Sequence, residues 1–533
     1  MNEKRTIILL LLALLLFITG TFDHSLWTPD EPRVAEIART MAVTGDYLIP
    51  MLSNNPFLEQ PPLYYAAIGI FWRIFGTGNE GFGRLASVLF ASCSVLAIFF
   101  GTRVLYSERV ATISALILAT TWEFFLISHK MVVDNALAFF ITGALISFIL
   151  AYKQRFKRGY VLFWVFLALA FMTKGIIGIA LPGVAVAIFI LWQRDFSIIR
   201  KAWVIPGILL VLLVMSAWAW ALYLRGGKEF LSTFFLYNNL GRFAGAGIYQ
   251  GGHVNPFYYY IPTVLLDGSP WSFLLIPALI AVRKIDDRLR FFCSWFFGGL
   301  ILLSLASTKR GIYFLPMYPV MAVMVGHWMS KMAMEEPARW EKRVLLSLLI
   351  ILVHILVLIP IGYVVKLGGS LPIAITVFLV SMGLLLLTYR MMARSLPEWL
   401  PVGLVLLLLT WTPLLFPQVD TLKTYKPFYE EAGRIVGKDS VISYRPTETV
   451  EAFCPFYGGF SVRSIEERNQ FEQMILSGAA PYAIILPGSG DAKMKILLEY
   501  RGQKVLEVGG KWRRKTQLWR LSDHMGVDTE EGK

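Results

Sequence analysis

The chain has 533 residues, 56% hydrophobic and 16% charged, where a soluble domain carries about 25% charged residues; so much apolar surface cannot be hidden in one ordinary core and has to face lipid. The net charge of +14 does not point to nucleic acid, because the basic residues gather in short connections between apolar runs of membrane length, where cytoplasmic loops carry them. Cys93, Cys293 and Cys454 form no disulfide framework.

The first apolar run, 6–22, follows Lys4 and Arg5 and lacks a small-residue cleavage site after it, which reads as an uncleaved signal anchor. Further spans are expected at 84–105, 109–128, 132–152, 160–174, 177–193, 203–224, 257–282, 291–307, 312–330, 344–365, 371–390 and 399–416. That is thirteen in all. Alternate connections hold the basic residues, from Lys4 and Arg5 through Arg103, Lys153 to Arg158, Arg283 to Arg290 and Lys331 to Arg343 to Arg390 and Arg394. The positive-inside rule then puts the N-terminus in the cytoplasm and residues 417–533 outside. Two long connections, 23–83 and 225–256, share the outer side.

Within the first of these, 32–43 has apolar residues at helical spacing (Val34, Ile37, Ala38, Met41), behind Asp30 as a plausible cap. This predicts a helix lying along the membrane surface. Residues 63–75 read as a second interfacial helix. After about residue 418 charge rises. Alternating segments at 440–444 and 482–486, separated by helical patterns at 428–436 and 465–475, predict a small soluble α/β domain. It contains no glycine-rich phosphate loop and no catalytic cluster. The fold class is therefore mainly α, a polytopic membrane domain over 1–416 followed by an α/β domain over 417–533.

The unusual polar residues all fall on the outer side: Asp30, Glu31 and Arg33; Glu59 and Gln60; Lys130 and Asp134; Lys174; His253 and Asn255; Lys309 and Arg310. Each has a structural explanation. Asp30 could cap a helix, Lys130 and Lys174 could snorkel to the interface, and His253 could be an ordinary loop histidine. Taken together, ionisable groups at span ends are costly and mark a function. Arg33, Lys174, Lys309 and Arg310 could neutralise a phosphate, Asp30 could act as a base, and Glu59 with His253 could share a divalent metal such as zinc or manganese. This leaves an enzyme, a lipid transporter or flippase, and an inactive binding or sensor protein open. A transporter should show internal inverted repeats, and none is visible.

The order and spacing of several short motifs narrow the choice. They are Leu26-Trp27-Thr28-Pro29-Asp30-Glu31-Pro32-Arg33, Glu59-Gln60-Pro61-Pro62, Val133-Asp134-Asn135-Ala136, Thr173-Lys174-Gly175, His253-Val254-Asn255-Pro256 and Lys309-Arg310-Gly311-Ile312-Tyr313. This pattern resembles the bacterial aminoarabinose transferases, which belong with protein O-mannosyltransferases among the GT-C membrane glycosyltransferases. The resemblance covers roughly 1–416. It implies a polyprenyl-phosphate-linked sugar as donor, used at the outer face of the bacterial inner membrane, and transfer with inversion. The acceptor would be lipid A phosphate or a related periplasmic group, or a protein hydroxyl in the mannosyl branch. It also implies Asp30, with Glu31 next to it, as the catalytic carboxylate. Glu59 and His253 would be the ligands of a divalent ion (Zn2+, Mn2+ or Mg2+). Arg33, Gln60, Lys174, Lys309, Arg310 and Tyr313 would handle donor phosphate, and Lys130 and Asp134 would belong to the remaining pocket. Gln60 stands where the family pattern has lysine, and brings a hydrogen-bond donor but no charge.

Overall fold

A computed structural model describes residues 3–521 apart from 157, 246–252, 283–284, 336, 368, 396–398, 487–491 and 511–512. Arg283 and the middle of the second long connection, both used above, lie outside the described residues. The chain divides into two compact units. One comprises Met1–Phe22, Leu58–Ala67 and Arg84–Phe416; the other comprises Asp23–Phe57, Ile68–Gly83 and Pro417–Lys533.

The first unit is helical. Among the described residues seven helices are long and apolar enough to cross a membrane, or nine if two bent pairs each count as one span. The bent pairs are Glu108–Ala119 with Trp122–Ser128, at 67°, and Phe257–Asp267 with Ser272–Ile280, at 101°. Leucine, isoleucine and phenylalanine remain heavily exposed along these helices (Leu209, Leu213 and Leu224 at 61%, 67% and 67%), which is the surface a bilayer would cover. The Thr173-Lys174-Gly175 break is real: Gly159–Lys174 and Ile176–Gln193 are separate helices. Gly175 has φ +72° and ψ −145°, and an added Cβ would stand 2.5 Å from the Asn239 side-chain oxygen, so only glycine fits. The expected outer connection 225–256 is not simply loop. Non-helical Gly226 and Gly227 interrupt the helix at its start, after which helical structure resumes and runs to Ala244.

The second unit joins most of the first long connection to the C-terminal residues. Its five-stranded sheet runs in the order Val462–Ile465, Val441–Tyr444, Tyr482–Ile485, Arg513–Leu521, Gly502–Gly510. The first three strands are parallel, with Val441 opposite both Val462 and Tyr482, and the last two form an antiparallel hairpin. Ile442, Ala483, Trp519, Phe471 and Ile475 form the core between sheet and helices. The helix foreseen near residues 32–43 is Glu31–Thr44, entered through Pro32 and closed by left-handed Gly45. Its apolar face does not lie on a membrane. Val34, Ile37, Ala38 and Met41 are at most 2% exposed, and the helix packs against Glu448–Phe453 of its own unit. Periodicity identified the buried face; the partner lies some 400 residues along the chain. Cys454, expected as a lone thiol of the soluble domain, is fully buried, and burial holds its pKa far above the usual thiol range.

Candidate active site

In the membrane unit the break at Gly175 leaves Lys174 as the last residue of its helix, and Asp134 opens the helix Asp134–Tyr152. The Lys174 ammonium donates to Asp134 Oδ1 at 2.5 Å and sits 4.3 Å from the centre of the Tyr313 ring. Both charged side chains are largely buried, at 13% and 8% exposure. Such a pair survives burial only because each charge is compensated. Removing Asp134 would strand the ammonium, and the reverse holds for the carboxylate. The break is pinned from another segment: Asn239 Oδ1 accepts the Ile176 N–H at 3.1 Å.

Glu59 is engaged by the Arg242 guanidinium. The Arg242 carbonyl accepts from Ser307 Oγ at 3.1 Å, and the Phe243 carbonyl from the Ser307 N–H at 3.0 Å. Two residues on, the Lys309 N–H donates to the His253 carbonyl at 3.0 Å, and Val254 bridges to Thr308. The short segment 307–309 thus ties the Glu59–Arg242 pair to the His253 loop, joining residues that are 194 positions apart by their numbers. Tyr313 lies within electrostatic reach of Arg310, Asp134, Arg242 and Glu59, and Glu123 within reach of Asp267, Lys130, Asp134 and Arg310. The structure therefore collects Glu59, Lys130, Asp134, Lys174, Arg310 and Tyr313 into one charged region. It adds Arg242, Glu123 and Asp267, which the sequence reading passed over. Glu123 and Asp267 carried a usable signal, since each is a carboxylate inside an apolar run.

One expected phosphate ligand is already committed in this structure, and a second is committed at one end only. Lys309 is 3% exposed, and its ammonium donates to the Asn255 carbonyl at 2.8 Å, while Asn255 returns a bond to the Lys309 carbonyl. A buried ammonium requires such an acceptor; here it fastens the His253 loop. Gln60 accepts from the Tyr65 hydroxyl at 3.0 Å, which leaves its amide nitrogen as the end that can donate to a ligand.

Glu59 and His253 are the metal ligands implied by sequence. Among the described residues no group of three or more His, Cys, Asp or Glu side chains could hold an ion. The two segments do meet at 307–309, and Glu59 is paired with Arg242.

In the second unit Asp30 occupies the N-cap position of Glu31–Thr44, yet its side chain makes no capping bond. Its Oδ1 lies 3.4 Å from an Arg33 nitrogen. Capping does not explain this aspartate. Arg33, expected as a bare cation for phosphate, is held also by Glu448 at 2.5 Å and lies over the Phe57 ring at 5.1 Å. The sequence could not show this, because Glu448 is 415 residues away. Glu31 is 1% exposed and accepts the Trp27 N–H at 2.7 Å, a positioning bond that fixes the turn bearing Asp30. Glu36 is also buried and is gripped by Arg39 through two bonds of 2.7 Å; burial nonetheless pushes its pKa up.

Residues 59–220 match the family described as dolichyl-phosphate-mannose-protein mannosyltransferase. An uncharacterized protein of Aquifex aeolicus is 33% identical over 330 residues, which are 62% of this chain and 74% of that protein. The undecaprenyl phosphate-alpha-4-amino-4-deoxy-L-arabinose arabinosyl transferase 2 of Proteus mirabilis is 30% identical over 341 residues, 61% of this chain and 60% of that enzyme. The chain thus spans less than two thirds of the length of that curated transferase. The crystal structure of ArnT from Cupriavidus metallidurans bound to undecaprenyl phosphate shares the fold, with a TM-score of 0.80 at 18% identity over 97% of this chain and 98% of that one. This chain is thus similar in sequence to the aminoarabinose transferases over about 60% of its own length and has the fold of the ArnT structure.

Proposed function

We propose that this protein is an inverting glycosyltransferase that moves a sugar from an undecaprenyl-phosphate donor to lipid A phosphate or a related acceptor outside the bacterial inner membrane. The observation that carries the reading is the partly buried Lys174–Asp134–Tyr313 group beside Glu59, Arg242 and Arg310. It sets several cations in a region of low dielectric, where they act most strongly on developing charge.

The acceptor oxygen attacks the anomeric carbon from the face opposite the donor phosphate. The new C–O bond forms as the old one breaks, and the electron pair leaves with the polyprenyl phosphate. Lys174 and Arg310 neutralise the charge gathering on that leaving phosphate, and the Gln60 amide donates to it. Asp134 keeps Lys174 in place between turnovers, and Tyr313 shelters the ammonium with its ring. Asp30 accepts the proton of a hydroxyl acceptor; a phosphate acceptor is already ionised and needs only orientation. Lys130 and Asp134 line the remainder of the pocket. A divalent ion held by Glu59 and His253 would supply positive charge toward the phosphate. The check on it is metal content: Glu59→Gln and His253→Ala should each lower the bound metal of purified protein, and unchanged content in both removes the ion from the proposal.

The proposal includes thirteen spans, a cytoplasmic N-terminus, and active-site loops and residues 417–533 in the periplasm. Its support is the alternation of basic connections, together with a helix at each of the thirteen stretches once bent pairs are joined. Because Cys454 is buried, a Lys438→Cys variant is the better reporter, exposed at the surface. It should react with a membrane-impermeant thiol reagent from the outer side; labelling only from the cytoplasmic side reverses the orientation.

Transfer to protein hydroxyls is the second reading, supported by the mannosyltransferase family match. Mass spectrometry of lipid A and of glycoprotein from cells with and without the gene separates the two. A gene-dependent sugar on lipid A phosphate supports the first, and one on serine or threonine supports the second. No gene-dependent sugar on either contradicts both.

A further inference from the structure

At the far end of two spans that begin or finish at the charged region lies a second cavity, of about 440 Å³. Asp287–Leu305 and Gly311–Met332 each present one end to the Ser307–Tyr313 segment and the other to this cavity. The two sites are separated by a helix length of roughly 28 Å, at 1.5 Å per residue. The volume is in the range of ligand pockets, about 300–1,000 Å³. Leu279 and Phe292 contribute to an apolar wall, while Tyr106, Arg288, His327 and Lys331 supply polar groups.

These polar groups are short of acceptors. The Tyr106 and His327 rings lie 4.5 Å apart; among the described residues neither the tyrosine hydroxyl nor the imidazole nitrogens take a hydrogen bond. His327 is exposed to the cavity, while Val325 and Met329 on either side are fully buried. Lys331 has only a loose contact with Glu335, at 3.7 Å between a half-buried and an exposed side chain, a pair of little worth. Arg288 is held in place by Asp286 at 2.6 Å and the Leu105 carbonyl at 2.5 Å, with its guanidinium 4.3 Å from the Tyr106 ring centre. The one carboxylate among the described lining residues, Asp286, is thereby paired. What faces the space is a tyrosine hydroxyl, an imidazole and an ammonium. A group with several acceptor oxygens and negative charge satisfies all three, and the apolar wall at the end of membrane spans suits a hydrocarbon stem.

We propose that this cavity binds the phosphate headgroup of an anionic lipid, separately from the donor site. It is an additional binding site with no part in the transfer chemistry.

Native mass spectrometry of the full-length protein, offered phosphatidylglycerol, phosphatidylcholine or inorganic phosphate, tests it. The variants are His327→Phe, which keeps a ring beside Tyr106 but removes the imidazole nitrogens, and Lys331→Gln, which removes the charge at a half-buried position. Wild type should retain phosphatidylglycerol over phosphatidylcholine. Each variant should bind phosphatidylglycerol about tenfold more weakly, the loss expected for one charge-assisted hydrogen bond, with thermal unfolding unchanged. Equal retention by wild type and both variants overturns the site. Inorganic phosphate held as tightly as the lipid overturns the lipid assignment.

Discussion

The residues in this protein divide by how their charges are settled. Lys309, Glu31 and Glu36 are buried, with hydrogen bonds that account for their presence. Asp30 is different: it stands at a helix start without capping it, although aspartate there ordinarily accepts a backbone N–H. Asp30→Asn keeps the shape and removes the charge. The expected outcome is a loss of sugar transfer of about 10²–10⁴-fold, the range for removing a general base, with a thermal midpoint close to wild type because no cap is lost. Near-normal transfer would make Asp30 structural and transfer the role to another carboxylate. At this scale the sequence revealed which residues are out of place but not what they touch. Lys174 and Asp134 stood out as ionisable groups at span ends, and they do meet. The partners of Glu59 and Arg33 are Arg242 and Glu448, 183 and 415 residues away. Neither has a local signature, since pairing across such separations is set by packing alone.

Among the elements, the break between Gly159–Lys174 and Ile176–Gln193 is the feature on which the site depends most. It was legible as a polar interruption flanked by apolar runs, and its mechanism is a glycine-only conformation held against Asn239. Gly175→Ala should destabilise the protein by about 1–3 kcal/mol from backbone strain alone and should displace Lys174 from Asp134. The measurement is thermal unfolding together with transfer rate, and an unaltered midpoint would contradict the local account. The helix Glu448–Phe453 offers a pH test. Burial, reinforced by the charges of Glu448 and Glu466, pushes the Glu451 pKa up to about 7. A carboxyl with a raised folded-state pKa favours folding while protonated and loses that contribution as pH rises from the ordinary carboxylate range through the raised value. The wild type should therefore lose stability between about pH 4.5 and 7 relative to Glu451→Gln. Parallel curves for the two proteins would contradict the shift. The helix Glu31–Thr44 shows where pattern reading stops: an amphipathic stripe next to membrane spans has the same spacing whether it meets lipid or protein.

At the scale of the whole molecule, composition and apolar runs were enough to identify a multi-pass membrane protein, because each span's signal is contained in its own residues. The division into units was less legible. Residues 23–57 and 68–83 group with the C-terminal residues, an association between stretches with no shared local pattern. The charged region sits at one end of the spans Asp287–Leu305 and Gly311–Met332, and the second cavity at the other. A flippase would need a continuous polar route between such ends, whereas a transferase needs a single reactive face. The most direct test reconstitutes the purified protein in liposomes with an undecaprenyl-phosphate-linked aminoarabinose and lipid A, and follows both products by mass spectrometry. The account predicts free undecaprenyl phosphate and glycosylated lipid A phosphate in equal amounts, with both strongly reduced in Asp30→Asn and Lys174→Met. An intact donor, with no sugar transferred to lipid A by folded wild-type protein, would contradict it.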